Sequence, residues 1–250
     1  MGVYINLNIS YAVTKEEWEM LYEEVVELAK KLPFAVVEEN EIYLLPKEEQ
    51  ENYVLYRDLI QQKKYNKYAG DAMWSALPYF TDFEQKDPRC NRCYEIWGPK
   101  IPRKTYHLHL LAIACLIEAR LGEKAFLFGN ITGEQCERAV GLVYKHTKNR
   151  ISLPARCDKN RLYERVLKMK LSELERIFVF ESMYWGKKDY QFGAYLRQMF
   201  SKELCLAYWE KRFRDCAVNT VRFQKYVNEY LSWGFEWDML CKIVNQEKTR

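Results

Sequence analysis

Between Thr105 and Leu121 the chain has almost no polar face. Leu108, Leu110, Leu111, Ala112, Ile113, Ala114, Cys115, Leu116 and Ile117 fall on every side of a 3.6-residue turn, and Gly122 supplies a stop. A helix that is apolar all round has to be surrounded, so other elements must pack on each of its sides. The run from Leu108 to Ile117, broken only by His109, is about half of what a bilayer span needs. It therefore predicts the centre of a folded core and not a membrane helix.

The elements available to surround it differ on its two sides in sequence. Upstream, Val3, Ile5, Leu7 and Ile9 alternate with Tyr4, Asn6, Asn8 and Ser10, the period of a half-buried strand. Thr14 with Glu17 makes a capping box, and Trp18, Leu21, Tyr22, Val25, Leu28, Ala29 and Leu32 follow at helical spacing until Pro33. Phe34–Val37 and Ile42–Leu45 read as short strands joined at Glu39-Asn40, so residues 1–60 form a small β-α-β-β unit. Regular periodicity then lapses. Residues 61–104 hold Pro78, Pro88, Pro99 and Pro102 together with Trp74, Tyr79, Phe80, Phe83, Tyr94 and Trp97. A disordered linker is not this aromatic, so the segment reads as an irregular connection that packs its rings against a neighbour.

Downstream the signals are helical. Ala125–Gly129 is a short strand or extended link, and Thr132 with Gln135 opens a helix to about His146. Asp158 caps the next helix, Ser172 with Glu175 another, and further helical patterns run through 188–199, 201–213, 217–232 and 236–246. Residues 105–250 are thus a helical domain. The predicted fold class is α+β, mostly helical: a small N-terminal β-α-β-β unit followed by a C-terminal helical bundle.

Charge is sorted along the chain. Residues 1–60 carry 5 Lys/Arg against 13 Asp/Glu, much of the excess being Glu16, Glu19, Glu23 and Glu27 on the outer face of the first helix. Residues 138–170 carry 10 Lys/Arg against 2 Asp/Glu. Arg138, Lys145 and Lys148 share one helix face, Arg161, Arg165 and Lys168 share a face of the next helix, and Arg150 and Arg156 lie between them. These eight residues are the candidate anion- or partner-binding set. Two plainer readings compete: an ordinary solvated face, and internal docking against the acidic helix.

Signals for chemistry are weaker. Cys90-Asn91-Arg92-Cys93 has the spacing of a zinc half-site, with His107 and His109 downstream. On a helix those two histidines point about 200° apart, so one ion could take only one of them and would need a fourth ligand. Cys90 or Cys93 with His107 or His109, oriented by Asp82 or Asp87, is a conceivable nucleophile–base pair that nothing in the sequence brings together. Phe126-Leu127-Phe128-Gly129-Asn130-Ile131-Thr132-Gly133 resembles a phosphate loop in outline but has neither G-x-G-x-x-G nor a Gly-Lys-Ser/Thr ending.

No catalytic residue, metal ligand or cofactor is therefore assigned, and the reading leans away from an enzyme. The start of the sequence lacks a basic and an apolar signal region, which points to the cytoplasm and to reduced thiols, with Cys115, Cys136 and Cys205 as small core residues. A non-enzymatic interaction module is expected, such as an adaptor, an immunity or inhibitor protein, or a complex subunit. It would act on a protein partner through charged and aromatic surfaces. The alternatives are a nucleic-acid-binding protein using residues 138–170 and an enzyme with a Cys/His site, with or without zinc, in residues 71–109. No membrane partner is expected.

Overall fold

The computed structural model describes residues 3–10, 12–44, 53–65, 93–97, 100–101, 107–169, 171–214 and 216–248. Most of the aromatic-rich stretch read at 61–104, including Trp74, Tyr79, Phe80 and Phe83, lies outside these residues. The fold is mixed α+β and mostly helical, as the sequence pattern predicts. Packing divides the described chain into two compact units, residues 1–165 with 183–185, and residues 166–182 with 186–250.

In the first unit, strand β1 (Val3–Ser10) is central. Along one edge it pairs antiparallel with β5 (Cys93–Trp97) and then β6 (Lys100–Ile101). Along the other it pairs antiparallel with β7 (Ala125–Gly129), Ile5 opposite Gly129 and Ile9 opposite Ala125. Residues 1–60 therefore do not close a sheet around β1; its partners come from much later in the chain. Ile5, Leu7 and Ile9 are buried and Tyr4 is exposed, as alternation requires, while Asn8 is also buried because the strand has neighbours on both edges.

The first helix, α1 (Lys15–Ala29), starts at the expected capping box. The Thr14 hydroxyl accepts from the Glu17 amide at 3.2 Å, and the Glu17 carboxylate accepts from the Thr14 amide at 2.9 Å. Its buried stripe is Trp18, Leu21, Tyr22, Val25, Val26, Leu28 and Ala29. The strands β2 (Val36–Val37) and β3 (Glu41–Tyr43) form the expected hairpin, and β4 (Val54–Tyr56) adds to the other edge of β3. The Trp18 indole donates to the Tyr56 carbonyl at 3.0 Å and ties α1 to this second sheet. A short helix, α2 (Leu59–Tyr65), follows it.

The all-apolar stretch is helix α3 (His107–Leu121), buried without interruption from Leu110 to Glu118. It packs against α1, β1, β7 and α4 (Gly133–Thr147), which begins at the Thr132/Gln135 capping box. Each large apolar side chain so enclosed stabilises the fold by roughly 1.5–3 kcal/mol. A 3₁₀ turn at Ala155–Cys157 and helix α5 (Lys159–Leu167) follow.

The second unit contains α6 (Glu173–Met183), α7 (Tyr190–Met199), α8 (Lys202–Arg214), α9 (Val221–Ser232) and α10 (Trp237–Lys248). Its core is a cluster of rings. Trp209 lies 4.9 Å from Trp233, 5.2 Å from Tyr208 and 5.2 Å from Tyr230 between ring centres, and Phe192 lies 4.9 Å from Trp233. Offset and edge-on rings at such distances add about 0.5–1.5 kcal/mol per pair beyond their burial. The close approach of α7 to the end of α9 requires Gly193, where a Cβ would stand 2.0 Å from the Trp233 carbonyl oxygen.

Candidate functional site

Helix α4 sets out the first part of the basic face. Its buried stripe is Cys136, Ala139 and Val143, which leaves Arg138, Tyr144 and Lys145 exposed on the far side. The helix ends at Lys148, whose backbone is left-handed with φ 63° and whose amide donates to the Tyr144 carbonyl. Arg150, exposed just beyond, places its guanidinium 5.8 Å from the Tyr144 ring centre. Lys31, at the end of α1, joins this group by donating to the His146 carbonyl at 2.7 Å. Burial first, and then Lys145, Lys31 and Lys148, hold the His146 imidazole below its ordinary value. None of Arg138, Lys145, Lys148 and Arg150 has an ion-pair partner among the described residues.

The acidic helix is engaged elsewhere. Glu24 takes a two-pronged bond from Arg120 at 2.7 Å, Glu17 pairs with Lys124 at 2.5 Å, and Glu23 pairs with Arg57 at 2.5 Å. These cations lie outside 138–170. Three carboxylates of α1 thus meet the end of α3, the turn after it and the residue following β4, while Glu16, Glu19 and Glu27 of the outer face stay exposed, Glu19 beside Lys15 of the same helix.

The other sequence-derived candidates are placed differently. Arg156 is buried; it donates to the Met183 carbonyl at 2.6 Å and stacks 4.0 Å from the Trp185 ring, and burial pulls its guanidinium down to about 10. Arg165 is buried as well, donating to the carbonyls of Ala125 at 2.8 Å and Gly122 at 2.7 Å, with Glu118 at 3.5 Å. Both are therefore corrected out of the surface: their donors are spent on backbone oxygens. Arg161 is half-buried and donates to Ser152 and to the Leu153 carbonyl. Lys168 is exposed and belongs to the second unit.

Glu118 was not among the sequence candidates. It is fully buried, and it accepts from the amides of Leu127 at 3.0 Å and Ala155 at 2.8 Å. Burial pushes its carboxyl up, against the pull of Arg165 and these donors. The only hint in the sequence was a carboxylate inside an apolar helix. Cys115, Cys136 and Cys157 also come together beside it. A hydrogen bond that Cys136 donates to Cys115, with burial, pushes the Cys136 thiol up, and one that Cys157 donates to Cys136, with burial, does the same to Cys157. Thiols held protonated in this way are poor nucleophiles.

Of the zinc candidates, Cys90 lies outside the described residues and Cys93 opens β5. His107 and His109 begin α3, and His109 stands edge-on to Phe34 at 5.7 Å. Among the described residues no three His, Cys, Asp or Glu side chains are grouped to hold a metal ion. No described helix is long and apolar enough to cross a membrane. No family model, curated protein or solved structure matches the chain.

Proposed function

We propose that this chain is a non-enzymatic interaction module that docks an acidic protein surface on the basic face formed by Arg138, Lys145, Lys148 and Arg150, with Lys31 at its border. The observation that carries this reading is the pairing of charges. Glu23, Glu24 and Glu17 of α1 take their cations from Arg57, Arg120 and Lys124, none of them on α4, and the basic face of α4 has no ion pair among the described residues, which leaves its charge for an outside partner. Lys148 supports it further. A side chain at a left-handed helix stop is strained by about 1–2 kcal/mol where glycine is not, and here that stop carries an exposed cation at the end of the face. Tyr144, 45% exposed beside Arg150, supplies the aromatic-plus-arginine chemistry that anchors protein interfaces.

The composition of the face favours protein over nucleic acid. Glu134 and Glu137 occupy the first half of α4, so the cationic stretch begins only at Arg138. Arg138 to Lys148 spans about 15 Å of helix, which offers a short, mixed patch and not a continuous track. The test is affinity capture from the native host with the wild-type chain and with Lys145→Glu/Lys148→Glu/Arg150→Glu, each with and without nuclease. A stoichiometric acidic protein held by the wild type, resistant to nuclease and lost on reversal, is the expected result. Retention by the reversed chain would remove the proposal, and release by nuclease would replace it with a nucleic-acid partner.

A further inference from the structure

A cleft of about 250 Å³ opens in the second unit, lined by Arg197 of α7, Lys202 and Leu206 of α8, and Phe235, Glu236 and Met239 beyond α9. Its chemistry is asymmetric. Arg197 donates one Nη to the Trp233 carbonyl at 2.6 Å, and its guanidinium lies 5.0 Å from the Phe235 ring and 5.6 Å from the Tyr190 ring. That carbonyl and those rings fix the plane of the group while leaving further N–H donors unspent. No carboxylate lies within ion-pair distance of Arg197 or Lys202 among the described residues. A half-buried, oriented guanidinium beside a second cation and an apolar wall is a receptor for a carboxylate.

We propose that this cleft binds a monoanionic carboxylate carried on a compact apolar body. The carboxylate takes the free donors of Arg197 and the ammonium of Lys202, and the apolar body lies on Leu206, Phe235 and Met239. Glu236 on the lining disfavours a second negative charge, so a carboxylate is preferred over a phosphate dianion. The walls belong to the ring cluster that also forms the core, so the site is preformed and binding orders few groups. The same chemistry is presented by a small free acid and by the C-terminus of a peptide with an apolar last residue. The cleft is independent of the basic face on α4, and either reading stands without the other.

The experiment is calorimetric titration of the full chain with hydrocinnamate and its amide, and with a short peptide ending in Phe as free acid and as amide. At least one acid is expected to bind, with its amide weaker by about tenfold or more because a charge-assisted pair is lost. Binding of hydrocinnamate identifies a small acid, and binding of the peptide acid alone identifies a C-terminus; both support the proposal. Arg197→Gln is expected to weaken the acid by a similar factor. Because Arg197 also holds the Trp233 carbonyl, Lys202→Gln and the cleft-filling Met239→Trp provide variants that leave that bond intact, and both should weaken the acid. Absence of binding by both acids, equal binding of acid and amide, or acid binding unchanged by Met239→Trp would each overturn it.

Discussion

At position 118 a carboxylate stands in a helix whose neighbours are all apolar, and its partners explain why the fold tolerates it. Its two oxygens take amides from β7 and from the 3₁₀ turn, while Arg165 spends its donors on the carbonyls at either end of the turn before β7. Removing one member of such a pair strands the other charge and costs about 3–5 kcal/mol, whereas removing both costs less. Arg165→Met should therefore lower the free energy of unfolding by that order, measured in urea, and adding Glu118→Gln should recover part of the loss. A double variant no more stable than the single would show that the two groups do not act together. His109 gives a second outcome at this scale. Burial first, and then His146 and His107, hold its imidazole below the ordinary 6.5. Between those two values the unfolded chain carries a proton that the folded chain does not. The stabilising contribution is thus full above 6.5 and is lost as pH falls through the lowered value. The urea midpoint should drop from about pH 7.5 to about pH 5.5, and His109→Gln should flatten that drop. Arg165 also marks a limit of sequence reading. It sits beside Leu162 and Val166 on the edge of an apolar stripe, and periodicity alone does not say whether such a cation turns outward or reaches back to a carbonyl.

Among the elements, the local signals were the legible ones. Capping boxes at Thr14, Thr132 and Ser172 involve residues three apart, and all three are present with both bonds made. The strands β4 and β6 are three and two residues long, too short to show a period, and they exist because of the strands they pair with. The basic face was legible as a set of residues and not as a surface, because Arg156 and Arg165 share its sequence and not its exposure. Two glycines separate packing from propensity. Gly193 faces the Trp233 backbone, so Gly193→Ala forces α7 away from the end of α9 and should cost about 1–3 kcal/mol. Gly141 lies inside α4 with open space around it, so Gly141→Ala should raise stability by up to about 1 kcal/mol. Thermal unfolding of the two variants tests the contrast, and equal shifts would argue against the close approach at Gly193.

Over the whole molecule, the sorted charge resolves into two different roles. Glu17, Glu23 and Glu24 of the acidic helix are tied to cations of the same unit, and the basic face of α4 has no ion pair among the described residues. Reversal at each should therefore be read out separately. Glu24→Lys breaks the Arg120 fork, a pair about one third exposed, and should lower stability by about 1 kcal/mol without changing capture of the partner. The triple reversal on α4 and Arg150 should do the opposite, removing capture while the unfolding midpoint holds. A partner lost equally with both changes would mean that the two charged regions serve one surface. The position of β1 has a consequence of another kind, for synthesis. This strand leaves the ribosome well before its partners, so its edges wait for residues 93–101 and then for Ala125–Gly129. Throughout that interval an alternating apolar strand has two bare hydrogen-bonding edges, the form most readily captured by another chain. The nascent chain is therefore most vulnerable to aggregation between the synthesis of β1 and that of β7, and a chaperone that shields extended apolar segments would act on β1.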